Sequence, residues 1–209
     1  MSYDESDAAR DQMYEEIARE LYPDHKAQAI TEFTSERLQS FYVANPLVMR
    51  SAVDAIQEGR RLQANDHHSA ALVFFVTAIE LLLKATLLKP VVHGLVHSEG
   101  LAEIIVQQAL GQAGFDRYSK LLTKLFAELV SLDINTVARS NSPDTLLSEC
   151  TTLQALRNRV IHQGATANAS EADLARVVAV AVYEQIVHPM LRHLGLHVVE
   201  HGEIVRDDA

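Results

Sequence analysis

The run SAALVFFVTAIELLLKATLLK, from Ser69 to Lys89, constrains this chain more than any other part of it. A helix that is apolar almost all round has no face to give to water, so it needs neighbours on several sides. That predicts the central helix of a bundle. Pro90 should close it, because proline lacks an amide hydrogen and its ring clashes with the carbonyl four residues back. Glu80, Lys84 and Lys89 interrupt the apolar stretch, so it does not read as a membrane span and no membrane partner is expected.

The neighbours are legible on either side. Residues 5–21 read as an acidic helix stopped by Pro23, and 25–43 as a second helix with Ala29, Ile30, Phe33, Leu38, Phe41 and Tyr42 on its apolar side. Asn45-Pro46 is a start signal for a helix running to about Leu62, with Val48, Ala52, Ile56 and Gly59 at helical spacing and Asn65-Asp66 beyond. Residues 90–114 should hold a loop and one helix around Leu101–Leu110, and Tyr118–Leu132 repeats leucines amphipathically. Ser142-Pro143-Asp144 precedes a helix from Leu146 to Ile161 that Gly164 ends. Ser170 and Asp173 resemble a capping box opening a helix from Glu171 to about Leu194. HVVEHGEIV, around His201-Gly202, suggests a small C-terminal β-hairpin. The expected fold is all-α, an up-and-down bundle of seven or eight helices. It divides into an acidic N-terminal helical extension (1–44), the bundle (45–195) and a tail (196–209).

The net charge is -10, which argues against a broad basic groove for nucleic acid. Residues 1–36 carry ten carboxylates against three basic residues, and so hold -7 of that total. A local cationic site elsewhere remains open. MSYDESDAARDQ does not read as a secretory signal, being acidic and polar. A lone cysteine, Cys150, allows no intramolecular disulfide and suits a reducing, cytoplasmic setting. His93 with His97, His67-His68, and the group His188, His193, His197 and His201 show no convincing ligand spacing, so neither a metal nor a cofactor is expected. Phe74, Phe75 and Ile79 are read as core.

The chemistry concentrates in Leu153-Gln154-Ala155-Leu156-Arg157-Asn158-Arg159-Val160-Ile161-His162-Gln163-Gly164. On a regular helix Arg157 and His162 stand about 140° and roughly 7.5 Å apart, so they diverge. Asn158 and His162 share a face and could hydrogen-bond. His162 falls in the last turn, where a structural role at the negative end of the helix dipole is a direct competitor to a chemical one. Arg157 could equally pair with Glu149. Glu80 and Lys84 are spaced for an intrahelical ion pair, though a charge in so apolar a helix could also serve a site.

Arg157-Asn158-x-x-x-His162 resembles the R-x(4–6)-H motif of HEPN domains, including the polar residue after the arginine. The apolar HHSAALVFFVTAIELLLKATL, with Glu80 and Lys84 as its charged pair, is similar to that superfamily's second-helix signature. The similarity spans roughly residues 45–195. It implies a metal-independent endoribonuclease, a toxin or defence effector, with Arg157 and His162 catalytic and Asn158 and Glu80 supporting. It also implies RNA as partner, a homodimer that joins two motifs, and a protein partner such as an antitoxin. The alternative is a non-catalytic HEPN-like bundle that serves as an interaction or RNA-binding module.

Overall fold

The computed structural model describes residues 5–96, 98–110, 115–130 and 132–207. The architecture is an all-α bundle with a small C-terminal hairpin. The first helix, α1 (Glu5–Ala44), is a single rod that passes straight through Pro23. The expected break there does not occur. Proline removes one amide donor, that for the carbonyl of Arg19, and on a helix standing in solvent water can take over that carbonyl.

A turn over residues 46–49 leads into α2 (Arg50–Ala64), so Pro46 precedes the helix by a turn instead of opening it. Gly59 lets α2 lie against α3 (His68–Leu83): a Cβ on Gly59 would come within 2.7 Å of the Phe75 ring. The short link Asn65–His67 makes α2 and α3 antiparallel neighbours. On α3, Ala71, Leu72, Phe75, Val76, Ile79, Leu82 and Leu83 are buried. Phe74, expected in the core, is 37% exposed on the other side of the helix.

Pro90 does not end this helix. Residues Lys84–Leu88 form a π-helical turn and α4 (Lys89–Leu95) continues beyond it. The turn is marked by the Lys89 amide, which bonds the carbonyl of Lys84, five residues back. In a regular helix Pro90 would leave the carbonyl of Thr86 without its donor. Here the buried hydroxyl of Tyr42, on α1, donates to that carbonyl at 2.6 Å. The loss caused by one residue is thus made good by a helix 44 positions earlier, which also ties α1 to the bundle. Removing that donor should be costly: Tyr42→Phe is expected to lower stability by about 1–3 kcal/mol, the range for a buried acceptor left unsatisfied. An unchanged denaturation midpoint in that variant would show the bond to be incidental.

The remaining elements complete the bundle. They are α5 (Glu99–Leu110), α6 (Phe115–Val130), α7 (Leu146–Gln163) and α8 (Ala169–Val182). α8 is followed by a second π turn (Tyr183–Val187) and by α9 (His188–His193), which carries Pro189 in its first turn. The same π turn therefore recurs just before Pro90 and Pro189, whereas α1 carries Pro23 as α-helix. The capping box at α8 uses Asn168 and Glu171, one pair earlier than expected: Asn168 Oδ1 accepts from the Glu171 amide at 3.0 Å, and Glu171 Oε2 from the Asn168 amide at 2.8 Å. Asp173 instead accepts from Arg176. Strands β1 (Leu196–Val198) and β2 (Ile204–Arg206) pair antiparallel, with His197 opposite Val205. By length and apolarity alone, His68–Leu95 and Ala169–His193 could each cross a membrane, so the three charges do not by themselves exclude it; 61% and 50% of their most apolar windows lie buried in the bundle.

Candidate active site

Helix α7 is started by Thr145, whose hydroxyl accepts from the amide of Ser148. It is ended by Gly164 in the left-handed region at φ 66°, where its amide bonds the carbonyl of Arg159. Leu146, Leu147, Cys150, Leu153 and Leu156 bury one side of the helix against the core. Arg157 follows Leu153 by four residues and so shares that inward side at the helix's far end. Its guanidinium is half-buried: Nη1 donates to Asn158 Oδ1 at 3.1 Å, while Nε is buried with no acceptor. Among the described residues no carboxylate pairs with Arg157 or His162.

His162 is exposed, on the opposite face from Arg157. The structure therefore does not bring the two together within one chain. Asn158 gives its oxygen to Arg157 and not to His162, so the expected Asn158–His162 bond is replaced by an Arg157–Asn158 one. Between Glu149 and Glu171 the chain holds no acid, yet it carries Arg157, Arg159 and His162, so this end of α7 is locally cationic in an acidic protein. The loop after α7 is fixed to the start of α3, where the Ser69 hydroxyl accepts from the Ala167 amide at 2.8 Å.

Glu80 reaches α7 by another route. Gln154 Nε2, one turn ahead of Asn158, donates to Glu80 Oε1 at 2.8 Å. Lys84 lies over the ring of Tyr118, 4.8 Å from its centroid. The pair on the apolar helix is thus engaged with α7 and α6, where the spacing had suggested an intrahelical bridge. The buried Tyr118 hydroxyl is pushed well above its ordinary pKa, first by burial, then by the Glu80 carboxylate and by Cys150. Cys150 is buried and its thiol is pushed up to about 12, mainly by burial. Such a thiol is inert as a nucleophile.

Glu149 is not Arg157's partner. It is 8% exposed and is gripped from both sides by Arg139: Nε donates to Oε2 at 2.8 Å and Nη2 to Oε1. The Ser142 hydroxyl adds a third bond at 2.9 Å. Arg139 lies in an irregular connection, where no periodicity marks it, so sequence reasoning passed it over. His93, expected in a loop, is a largely buried helical residue stacked on Phe41 at 5.8 Å, with Nε2 3.6 Å from the Glu103 carboxylate. His97 lies outside the described residues. His197 faces Asp207 at 3.0 Å, beside Arg192. Among the described residues no cluster of histidine, cysteine and carboxylate side chains could hold a metal ion. Compared with known proteins, the chain matches no family model, no curated protein and no solved structure.

Proposed function

We propose that this protein is an HEPN-type endoribonuclease whose site is built from Arg157 and His162 of two chains. The observation that carries the reading is the buried Arg157 Nε, a charged donor with no acceptor and, among the described residues, no carboxylate in ion-pair contact with its guanidinium. A buried polar group left unsatisfied is uncommon and asks for an explanation. A phosphate oxygen arriving from outside supplies one. The planar guanidinium would hold two phosphate oxygens at once and keep its proton throughout.

The reaction is attack of a ribose 2′-OH on the adjacent phosphorus, which releases the 5′-oxygen of the next nucleotide. His162, exposed to solvent at the end of α7, takes the hydroxyl proton as general base and, as the imidazolium, returns a proton to the departing 5′-oxygen as general acid. Arg157 stabilises the charge that builds on the phosphorane oxygens. Asn158 holds the guanidinium through its side-chain oxygen, and Glu80 steadies α7 through Gln154; both are positioning residues. Because Arg157 and His162 point apart on one helix, the arginine of one chain has to work with the histidine of another, which a two-fold axis beside α7 would allow. The same divergence favours the second reading, a non-catalytic helical module that binds RNA or protein through the cationic end of α7.

A histidine base and an arginine clamp need no metal. RNA cleavage by the wild-type protein is therefore expected to proceed at an unchanged rate in excess EDTA. Complete loss on chelation with recovery in Mg²⁺ or Mn²⁺ would overturn this mechanism, and absence of cleavage in both conditions would leave the binding module as the better account.

A further inference from the structure

A cavity of about 310 Å³ lies where the C-terminal hairpin closes over α2, α3 and α8. Its walls are mostly aliphatic, with Val53 and Ile56 from α2, Leu82 from α3, Val180 from α8 and Val198 from β1. The turn over it is fixed at both ends. The Val199 amide bonds the Glu203 carbonyl at 2.8 Å, and the Ile204 amide bonds the Pro46 carbonyl at 2.9 Å. Gly202, at φ 77°, seats the turn on α2, since a Cβ there would come within 2.7 Å of Val53 Cγ2. Beside it His201 holds a left-handed backbone at φ 58°, a costly conformation for a residue with a side chain. Tyr183, on the far wall, opens the second π turn. Strained residues and π turns both gather at functional sites, and one of each lines this cavity.

Three polar side chains interrupt the apolar wall: Arg60, Tyr183 and His201. Among the described residues none of the three has a hydrogen-bond or ion-pair partner. Glu58, the acid nearest Arg60 in sequence, is already held by Arg61 at 2.6 Å. Glu184, Glu200 and Glu203 are exposed, and none of them lines the cavity. Burial, and then the Glu184 charge, push the Tyr183 hydroxyl above its ordinary pKa, so it keeps its proton and stays a donor. In a chain of net charge -10, a lining with a permanent cation, further donors and no acid is a local exception.

We infer that this cavity binds a small carboxylic acid with an apolar body, its carboxylate paired with Arg60 and its hydrocarbon laid along the aliphatic walls. Small-molecule sites are concave and mostly apolar, with a few polar groups that fix the ligand's orientation. The guanidinium fork matches a carboxylate with two parallel bonds, and the Tyr183 hydroxyl and His201 ring are the further donors in the same lining. A neutral apolar ligand would leave Arg60 unanswered, and a ligand that is polar throughout would waste the walls. The inference rests on this cavity alone and does not depend on RNA cleavage.

The test is calorimetric titration of the full chain with octanoate, hexanoate and octan-1-ol. Octanoate should saturate at one per chain and bind about tenfold more tightly than hexanoate, because it buries two more methylenes. Arg60→Gln, at an exposed position, should weaken octanoate about tenfold or more and leave octan-1-ol within about twofold. Val180→Phe should fill the cavity and abolish binding of both, with a melting curve recorded beside it to show that the bundle is intact. If that variant does not fold, Arg60→Gln still decides, because its side chain is outside the core. Neither position belongs to the α7 site, so this reading and the ribonuclease reading fail separately. Absence of saturable octanoate binding, wild-type octanoate affinity in Arg60→Gln, or undiminished binding in a folded Val180→Phe would each overturn the inference. So would octan-1-ol binding the wild type as tightly as octanoate, which would make the site a neutral one.

Discussion

His162→Ala and Arg157→Ala are each expected to cut RNA cleavage by about a hundredfold or more, the usual loss for a general base or a charge-stabilising donor. The fold should survive both changes. His162 is exposed and makes no ion pair among the described residues, so its removal should shift stability by no more than about 0.5 kcal/mol. Arg157→Ala gives up one bond to Asn158 and some packing of its stem, about 1 kcal/mol. Arg157→Lys should also be impaired, since an ammonium cannot reproduce the planar fork. Mixing the two inactive alanine variants gives the sharpest readout. If each site takes its arginine from one chain and its histidine from the other, subunit exchange rebuilds one intact site per mixed dimer and activity returns in part. Wild-type rates in His162→Ala would end the enzyme reading, and a steep fall in its melting point would make His162 structural.

Arg139→Ala should have the largest effect on stability. It strips two donors from Glu149, a nearly buried carboxylate that then keeps the Ser142 hydroxyl as its side-chain donor. Breaking such a pair from one side typically costs several kcal/mol, because the remaining charge is left buried. With Arg139 itself partly exposed, about 3 kcal/mol is expected, or a fall in Tm of roughly 10 °C for a chain of this size. The pair also carries a pH signature. Arg139 holds the Glu149 carboxyl below its usual value of 4.5, burial opposes this, and Ser142 assists. A depressed folded-state pKa contributes stability that is fully present above the ordinary carboxylate range and is lost as pH falls through the folded value. Melts from about pH 7 down to about pH 3 should thus show a decline that is smaller in Glu149→Gln. An Arg139→Ala variant that melts with the wild type would show that the buried pair adds nothing.

The all-helical class, the central apolar helix, the end of α7 at Gly164 and the hairpin around His201-Gly202 were legible because each is written locally, as period, composition or turn chemistry. The prolines misled. Pro23 and Pro90 read as stops, since local rules count the lost hydrogen bond and cannot see what replaces it. At Pro90 the replacement is a tyrosine from another helix. The site was legible only in part. The five-residue spacing already implied that Arg157 and His162 diverge, and they do. That Asn158 would turn to its neighbour Arg157 is a local choice of side-chain conformation that spacing does not fix, and that Gln154 would bind Glu80 and Arg139 would claim Glu149 are facts of tertiary packing with no periodic trace.

The two π turns bear on how a chain like this can change over evolutionary time. A π turn is an α-helical turn with one extra residue accommodated in it, so each long helix behaves as though it had absorbed a single-residue insertion. Deleting one residue from 84–88 would restore the regular ladder but swing everything downstream by about 100°. Pro90, Val91 and Gly94 would leave the buried side they now occupy, and Gly94 would lose its fit against Leu38 on α1. In these segments the number of residues is held more firmly than their identities: related chains should exchange one apolar residue for another there before they vary in length.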